Sequence, residues 1–340
     1  MNLDGILHKE ELSKEEIIFL LNLSDKKDQQ KLFERAGEIR SLNCSDEVCL
    51  HGILEFSNFC EQNCSYCNFR KENSRLQRYR MMPEEIIETA HIISNQRICS
   101  IVLHSCGDHL FDADLIAYLI YQIKQNADVT ITLSLGERSF DEYRTWKIAG
   151  ADRYLLKYAT ANAKLFSFHH ERQNLQERLS HLRFLKSIGY ETCSGSIIGL
   201  PMQTIEDIAD DILMCKELDL DSAIFEPSLP SSYIQNQNIK SDNIDLMLKT
   251  IAVARIVLKK VHIPVTMPIE ILDENRSLKA LNVGANIVMS NLTPGLYKEQ
   301  SQSYTDRICI NDALLNYKES LQLQIESIGR KISNSSIASM

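Results

Sequence analysis

Cys60, Cys64 and Cys67 stand in C-x3-C-x2-C spacing just after the apolar run Ile53-Leu54-Glu55-Phe56, which reads as a strand. Thiolates delivered by one short loop can hold three irons of a 4Fe-4S cluster and leave the fourth iron open to another ligand. Structural zinc is the rival reading. It calls for four protein ligands, usually from two separated C-x2-C pairs, and the chain has no second pair. Disulfides belong to oxidising compartments, and the start Met1-Asn2-Leu3-Asp4-Gly5 has no basic region followed by an apolar signal core, so a cytoplasmic protein is expected.

The neighbourhood of the triplet adds to this. Tyr66 precedes the last cysteine, and Arg70, Lys71, Arg75, Arg78 and Arg80 follow closely in a chain whose formal charge is −9. Such a basic run can offset the negative charge of a thiolate-iron cluster or hold an anionic ligand, although any one arginine can equally be a solvated loop residue. Cys44, Cys49, Cys99, Cys106, Cys193, Cys215 and Cys309 are scattered, mostly inside apolar runs, and read as small core residues.

Eight β-type runs alternate with helical ones: 52–56, 98–105, 129–135, 153–156, 192–198, 222–225, 265–267 and 285–289. Gly150, Gly189 and Gly284 sit where helices should end, while Pro83 with Glu84 and Glu85, Ser139 with Glu142, and Thr204 with Asp207 mark helix starts. The pattern predicts an α/β fold, a (β/α)8 TIM barrel over 49–310, with an N-terminal helical segment (1–48) and a C-terminal covering helix (311–340). An open doubly wound sheet is the alternative, because periodicity cannot show closure. At 340 residues and 44% hydrophobic, with no low-complexity linker, the chain suits one domain. No run is long enough to cross a bilayer, and the acidic balance argues against nucleic acid.

In a barrel the cysteines lie after the first strand, at the face where active-site loops gather. Residues at the other strand ends then share their cavity: Asp108, Ser134, Glu137, Lys157, Thr160, Ser194, Ser196, Glu226, Thr266, Asn291, Thr293 and Tyr297.

The cysteine triplet with its aromatic neighbour resembles that of radical S-adenosylmethionine (SAM) enzymes. Glu55-Phe56-Ser57-Asn58-Phe59-Cys60, Arg78-Tyr79-Arg80-Met81-Met82-Pro83, Thr132-Leu133-Ser134-Leu135-Gly136-Glu137, Gly150-Ala151-Asp152-Arg153-Tyr154 and Ile198-Gly199-Leu200-Pro201 look like the HydE family of iron-iron hydrogenase maturases. Biotin synthase and methylornithine synthase are similar more distantly. The resemblance implies that SAM chelates the open iron of a 4Fe-4S cluster and is split reductively to a 5′-deoxyadenosyl radical, with electrons from a donor such as ferredoxin or flavodoxin. It places Tyr66 beside adenine, Asp108 in the turn that receives the SAM amino group, Ser134 and Lys157 near the ribose and methionine, and Arg178 at the carboxylate. Gly195 and Ile197 lie on a strand that adenine approaches. Thr132, Arg153, Glu226, Thr266 and Tyr297 fall to the pocket for a small molecule or small metal complex.

The chain also departs from that family. Ser105-Cys106-Gly107-Asp108 replaces the usual Ser-Gly-Glu-Asp, and Lys157-Tyr158-Ala159-Thr160 replaces Arg-His-Glu-Thr, so a charged acceptor facing SAM is missing. Glu226 and Met267 alter two strand ends. A second cluster site near the C-terminus of some maturases is reduced to Cys309, with Tyr317 and Ser320 at its other positions. Three functions are therefore weighed: metal-cofactor maturation, radical chemistry on an amino-acid-like substrate gripped by Glu226 and Arg153, and a non-catalytic cluster scaffold.

Overall fold

The structure, a computed structural model, describes residues 1–96, 98, 100–228, 242–266, 276–297 and 310–333. Three helices open the chain: α1 (Leu3–Leu7), α2 (Lys14–Leu21) and α3 (Lys26–Cys44). Then come β1 (Glu47–Ser57), α4 (Pro83–Asn95), β2 (Ser100–Ser105), α5 (Ala113–Asn126), β3 (Thr130–Ser134), α6 (Phe140–Ala149) and β4 (Arg153–Leu155). Two helices, α7 (Ala163–His169) and α8 (Leu175–Ser187), precede β5 (Glu191–Ile198), α9 (Ile205–Glu217), β6 (Ser222–Pro227) and α10 (Asp242–Leu258). The barrel ends with β7 (Pro264–Val265), α11 (Arg276–Asn282) and β8 (Ile287–Asn291), followed by α12 (Ile310–Ser327) and β9 (Lys331–Ile332).

The sheet runs β6-β5-β4-β3-β2-β1-β8-β7, with every neighbouring pair parallel. Closure comes where the strands start. Ala223 N donates to His262 O at 2.8 Å and His262 N to Asp221 O at 3.1 Å, joining β6 to the entry of β7. This makes a nearly closed (β/α)8 barrel and removes the open-sheet alternative.

The helices form because their apolar residues recur at helical spacing. Ile86, Ala90 and Ile93 on α4, and Ile116, Leu119, Ile120 and Ile123 on α5, are buried against the outside of the strands. Each buried isoleucine contributes about 1.5–3 kcal/mol of transfer free energy. The expected start signals are in place: Pro83 opens α4, and Ser139 with Glu142 and Thr204 with Asp207 make reciprocal capping boxes on α6 and α9. Inside the barrel a separate apolar set, Cys49, Val102, Cys193, Ile224, Ile287 and Met289, fills the lumen.

The C-terminal segment covers the strand-start end. Leu321 and Ile325 of α12 are buried, and β9, which was not foreseen, pairs with Glu47 and Val48 of β1. Nearby, the fully buried Arg255 donates to the carbonyls of Gly284, Lys259 and Val261, each at 2.7 Å, and to Asn286 Oδ1 at 3.1 Å. These bonds tie α10 to the connections entering β7 and β8. Cys44, Cys49, Cys193 and Cys215 are buried as expected, but Cys106 is only half-buried. Cys99, Cys309 and Met267 lie outside the described residues.

Candidate metal centre

β1 ends at Ser57, and the next segment folds back on itself at the carboxyl end of the barrel. Asn58, buried, donates to Gln77 O and accepts from Tyr79 N, both at 2.8 Å. Arg78 binds the carbonyls of Asn58, Phe69 (3.0 Å) and Arg70 (2.7 Å). Its guanidinium therefore knits the loop together. Within it, Cys67 N donates to Cys64 O at 3.1 Å and Lys71 N to Gln62 O at 2.8 Å. Cys60, Cys64 and Cys67 are half-buried thiols without disulfide partners. Burial pushes the Cys60 thiol up to about 11 and Cys64 to about 12, and raises Cys67, while Arg78 pulls Cys60 and Cys67 back down.

Two histidines that the sequence reading missed hold this loop. Ser65 Oγ lies 2.6 Å from His169 Nδ1, and Tyr66 Oη lies 2.7 Å from His170 Nε2. His170 Nδ1 is 3.0 Å from Phe166 O, so Nδ1 carries the proton and Nε2 accepts from the tyrosine. The adjacent pair at the end of α7 was the signal available. Tyr66 also packs on Ala159, Leu165, Ile197 and Leu200, an apolar wall beside the cysteines.

The chain shares 38% identity over 325 residues with the [FeFe] hydrogenase maturase subunit HydE of Thermotoga maritima, covering 96% of this chain and 93% of that protein. Residues 54–215 match the model of the radical SAM superfamily. This chain belongs to the HydE family of radical SAM enzymes. Another relative, 3-methylornithine synthase of Methanosarcina acetivorans, is 26% identical over 291 residues, covering 85% of this chain and 82% of that one. The solved structure of methylornithine synthase (PylB) has the same fold, with a TM-score of 0.83 at 23% identity over 97% of both chains.

Radical SAM enzymes generally use a 4Fe-4S cluster and SAM, and the loop here fits the cluster. Three thiols free of disulfides on one loop are the soft donor set that such a cluster takes at three of its irons.

The residues assigned to SAM occupy one rim of the barrel, but most are already paired. Asp108 is buried; burial pushes its carboxyl up, and bonds from Arg80 Nε (2.5 Å), Ser57 Oγ (2.6 Å) and Leu110 N outweigh that and hold it below the ordinary value. Its carboxylate is therefore fully engaged by protein groups. Arg178 binds Glu137 and donates to Lys157 O at 2.6 Å. Ser134 Oγ lies 3.0 Å from His104 Nδ1. Gly195 has a use the sequence did not show: a Cβ there would stand 1.8 Å from Ile224 O, so the glycine admits the β6 backbone. Ala159, at φ +65, is buried against Ile197.

The substrate residues separate into four places. Lys157 Nζ binds Glu226 Oε2 at 2.5 Å, both part-exposed at the rim. Thr132 and Thr266 are buried, and their hydroxyls have no partner among the described residues, like both ring nitrogens of His51 deeper in the barrel. Tyr297 turns outward, donating to Glu85 of α4 at 2.7 Å and packing on Tyr79. Arg153 pairs with Glu191 at the start of β5, whereas Glu226 stands opposite Ile197. Six residues of strand put roughly 20 Å between them, so this pair does not grip the two ends of one amino acid.

Proposed function

We propose that Cys60, Cys64 and Cys67 hold a 4Fe-4S cluster whose fourth iron takes SAM, and that the enzyme acts in maturing a hydrogenase-type metal cofactor. When bound, the cluster supplies the electron that splits SAM into methionine and a 5′-deoxyadenosyl radical, drawn from a ferredoxin- or flavodoxin-like donor. What carries this reading is a single loop bearing three half-buried thiols free of disulfides over the barrel mouth, in a chain 38% identical to HydE. Arg78 offsets the negative charge gathered on that loop, and His170 fixes the ring of Tyr66. Ile197, Ala159 and Leu200 give an apolar wall suited to adenine, while the turn 106–108 and the part-exposed Lys157 serve the polar methionine end. Thr132 and Thr266 line the deeper pocket with free hydroxyls.

Anaerobic reconstitution with iron and sulfide, then dithionite and SAM, tests the chemistry. 5′-Deoxyadenosine should form; its absence from a cluster-loaded protein refutes the radical reading. Maturation is tested by adding the loaded enzyme to a hydrogenase lacking its metal centre together with the other maturation proteins, and measuring hydrogen evolution. The Lys157–Glu226 pair favours a second reading, an amino-acid-like substrate, because it offers both charges a zwitterion needs. Mass-spectrometric detection of a rearranged amino acid, with no effect on the hydrogenase, would select it.

A further inference from the structure

Two large apolar side chains stand exposed beside the cysteine loop. Phe168, near the end of α7, is 60% exposed, and Met202, in the turn after β5, is 63% exposed. Bonded neighbours hold both against the loop. His169, next to Phe168, meets Ser65 twice: Ser65 N donates to His169 O at 3.0 Å, and Ser65 Oγ lies 2.6 Å from His169 Nδ1. His169 Nε2 donates to Pro201 O at 3.2 Å, next to Met202. Ser65 directly follows Cys64, so the exposed pair and the thiol loop form one piece of surface.

Single apolar side chains on a surface are ordinary, but this pair is deliberately placed. Met202 has φ +68, an unfavourable backbone for methionine. Gln203 fixes that turn by accepting from Gly199 N at 2.7 Å and donating to Ile197 O at 2.9 Å. Charge on this face also runs against that of the chain. Segments 61–75, 163–172 and 199–203 carry five Lys or Arg and three Glu, a surplus of two positive charges in a chain of formal charge −9. Lys164 lies one helical turn from Phe168 on α7, and Arg172 follows the histidine pair; both are exposed. Two of the three glutamates are engaged locally, Glu72 with Arg70 at 3.0 Å and Glu171 with Asn63 at 3.4 Å. An apolar centre with a cationic rim is complementary to an acidic protein.

We propose that this face docks a small acidic electron carrier of the ferredoxin kind, with Phe168 and Met202 as apolar anchors and Lys164 and Arg172 as steering charges. The proposal rests on the three-cysteine cluster, because electron transfer weakens steeply with distance and a donor must seat where the cysteine loop reaches the surface. In that step one electron leaves the reduced iron-sulfur centre of the carrier, which is oxidised, and reduces the enzyme's cluster; no bond or proton is exchanged. Two anchors and a charged rim make a small footprint, as transient electron-transfer encounters have.

The test uses a two-cluster bacterial ferredoxin of net negative charge. Calorimetry measures its binding to cluster-free and reconstituted enzyme, and anaerobic stopped-flow absorbance follows cluster reduction. Lys164→Glu with Arg172→Glu should weaken binding roughly tenfold or more at low salt and slow reduction by ferredoxin, while dithionite reduces the variant at the unsubstituted rate. Phe168→Ser with Met202→Ser should weaken binding by a similar factor. Lys260→Glu with Lys331→Glu makes an equal charge change at the strand-start end of the barrel and should leave affinity within about twofold. Binding that ignores both variants at the mouth, or falls equally in the strand-start control, overturns the docking face. A dimer in sedimentation that Phe168→Ser with Met202→Ser abolishes, with ferredoxin affinity unchanged, gives the face to a second copy of the chain and overturns the proposal too. Should the variants fail to fold, a salt series on the unsubstituted enzyme decides, since affinity independent of ionic strength overturns the steering charges. An unsubstituted protein that takes up no iron or sulfide overturns the cluster reading, whereas binding to the cluster-free enzyme still decides the face.

Discussion

The bond between Tyr66 and His170 gives a quantitative test of how the cysteine loop is held. Its length is 2.7 Å, His170 is 2% exposed, and Tyr66 is packed on the apolar wall. Tyr66→Phe removes the hydroxyl and leaves His170 Nε2 buried without a donor. His170→Phe keeps a ring stacked on Phe166, now 4.1 Å between centroids, and leaves the tyrosine hydroxyl without its acceptor. Phe166 O still accepts from His170 N at 2.9 Å, so no backbone group is orphaned by that change. Each single substitution should therefore destabilise by about 1–2 kcal/mol, mainly the cost of one stranded polar group. The double variant strands neither, so it should be less destabilised than the sum, with a coupling of about 1 kcal/mol. Urea unfolding of the four cluster-free proteins at matched m-values measures this. Additivity within about 0.3 kcal/mol would refute the claim that this bond anchors the loop.

Other outcomes follow from groups farther away. Arg255→Met should destabilise by about 3–5 kcal/mol in thermal or urea unfolding, because the buried Gly284 O loses its side-chain donor and the carbonyls of Lys259 and Val261 and Asn286 Oδ1 each lose one; a loss under about 1 kcal/mol would contradict its role. Gly195→Ala should prevent folding, judged by far-ultraviolet circular dichroism, since its Cβ would meet Ile224 O at 1.8 Å. Gly107→Ala, whose nearest contact is at 3.9 Å, should cost only the left-handed backbone penalty of about 1–2 kcal/mol. A pH effect should appear in the cluster-free protein. Burial and the charge of Arg153 hold His262 at about 4 and His51 well below its ordinary value, so on acidification the unfolded chain binds two protons that the folded one refuses. Asp211, raised by burial to about 7, works the other way, keeping one proton in the fold that the unfolded chain has lost. With two protons against one, these groups make stability fall by about 1.4 kcal/mol per pH unit as pH drops from about 6.5 to 4.5. Asp211→Asn should steepen the measured slope by about 1.4 kcal/mol per pH unit in urea titrations, since it removes one opposing proton; an unchanged slope would refute the assignment.

The chain states its local grammar openly. Strand runs, the capping boxes at Ser139 and Thr204, and Pro83 at the start of α4 are all set by neighbouring residues, and the folded protein carries each of them. The C-x3-C-x2-C loop is local in the same sense, since the eight residues from Cys60 to Cys67 bring three thiols together. Even the likeness to HydE needs only linear order.

Partners distant in sequence were decided by the folded barrel. Arg178 meets Glu137, Lys157 meets Glu226, and Arg153 goes to Glu191 at the opposite end, because strand register sets which side chains share a level. Closure of the barrel rests on two backbone bonds around His262, which leave no periodic trace. Tyr297 points away from the lumen because α4 offers Glu85 as an acceptor. Cys106 looked like one more core thiol until the turn after β2 was seen to lie against Cys60. Residue types and spacing determined which cofactor chemistry this chain can support. Tertiary structure alone decided which charges remain open around that chemistry, since pairing depends on three-dimensional proximity and burial, which spacing along the chain does not encode.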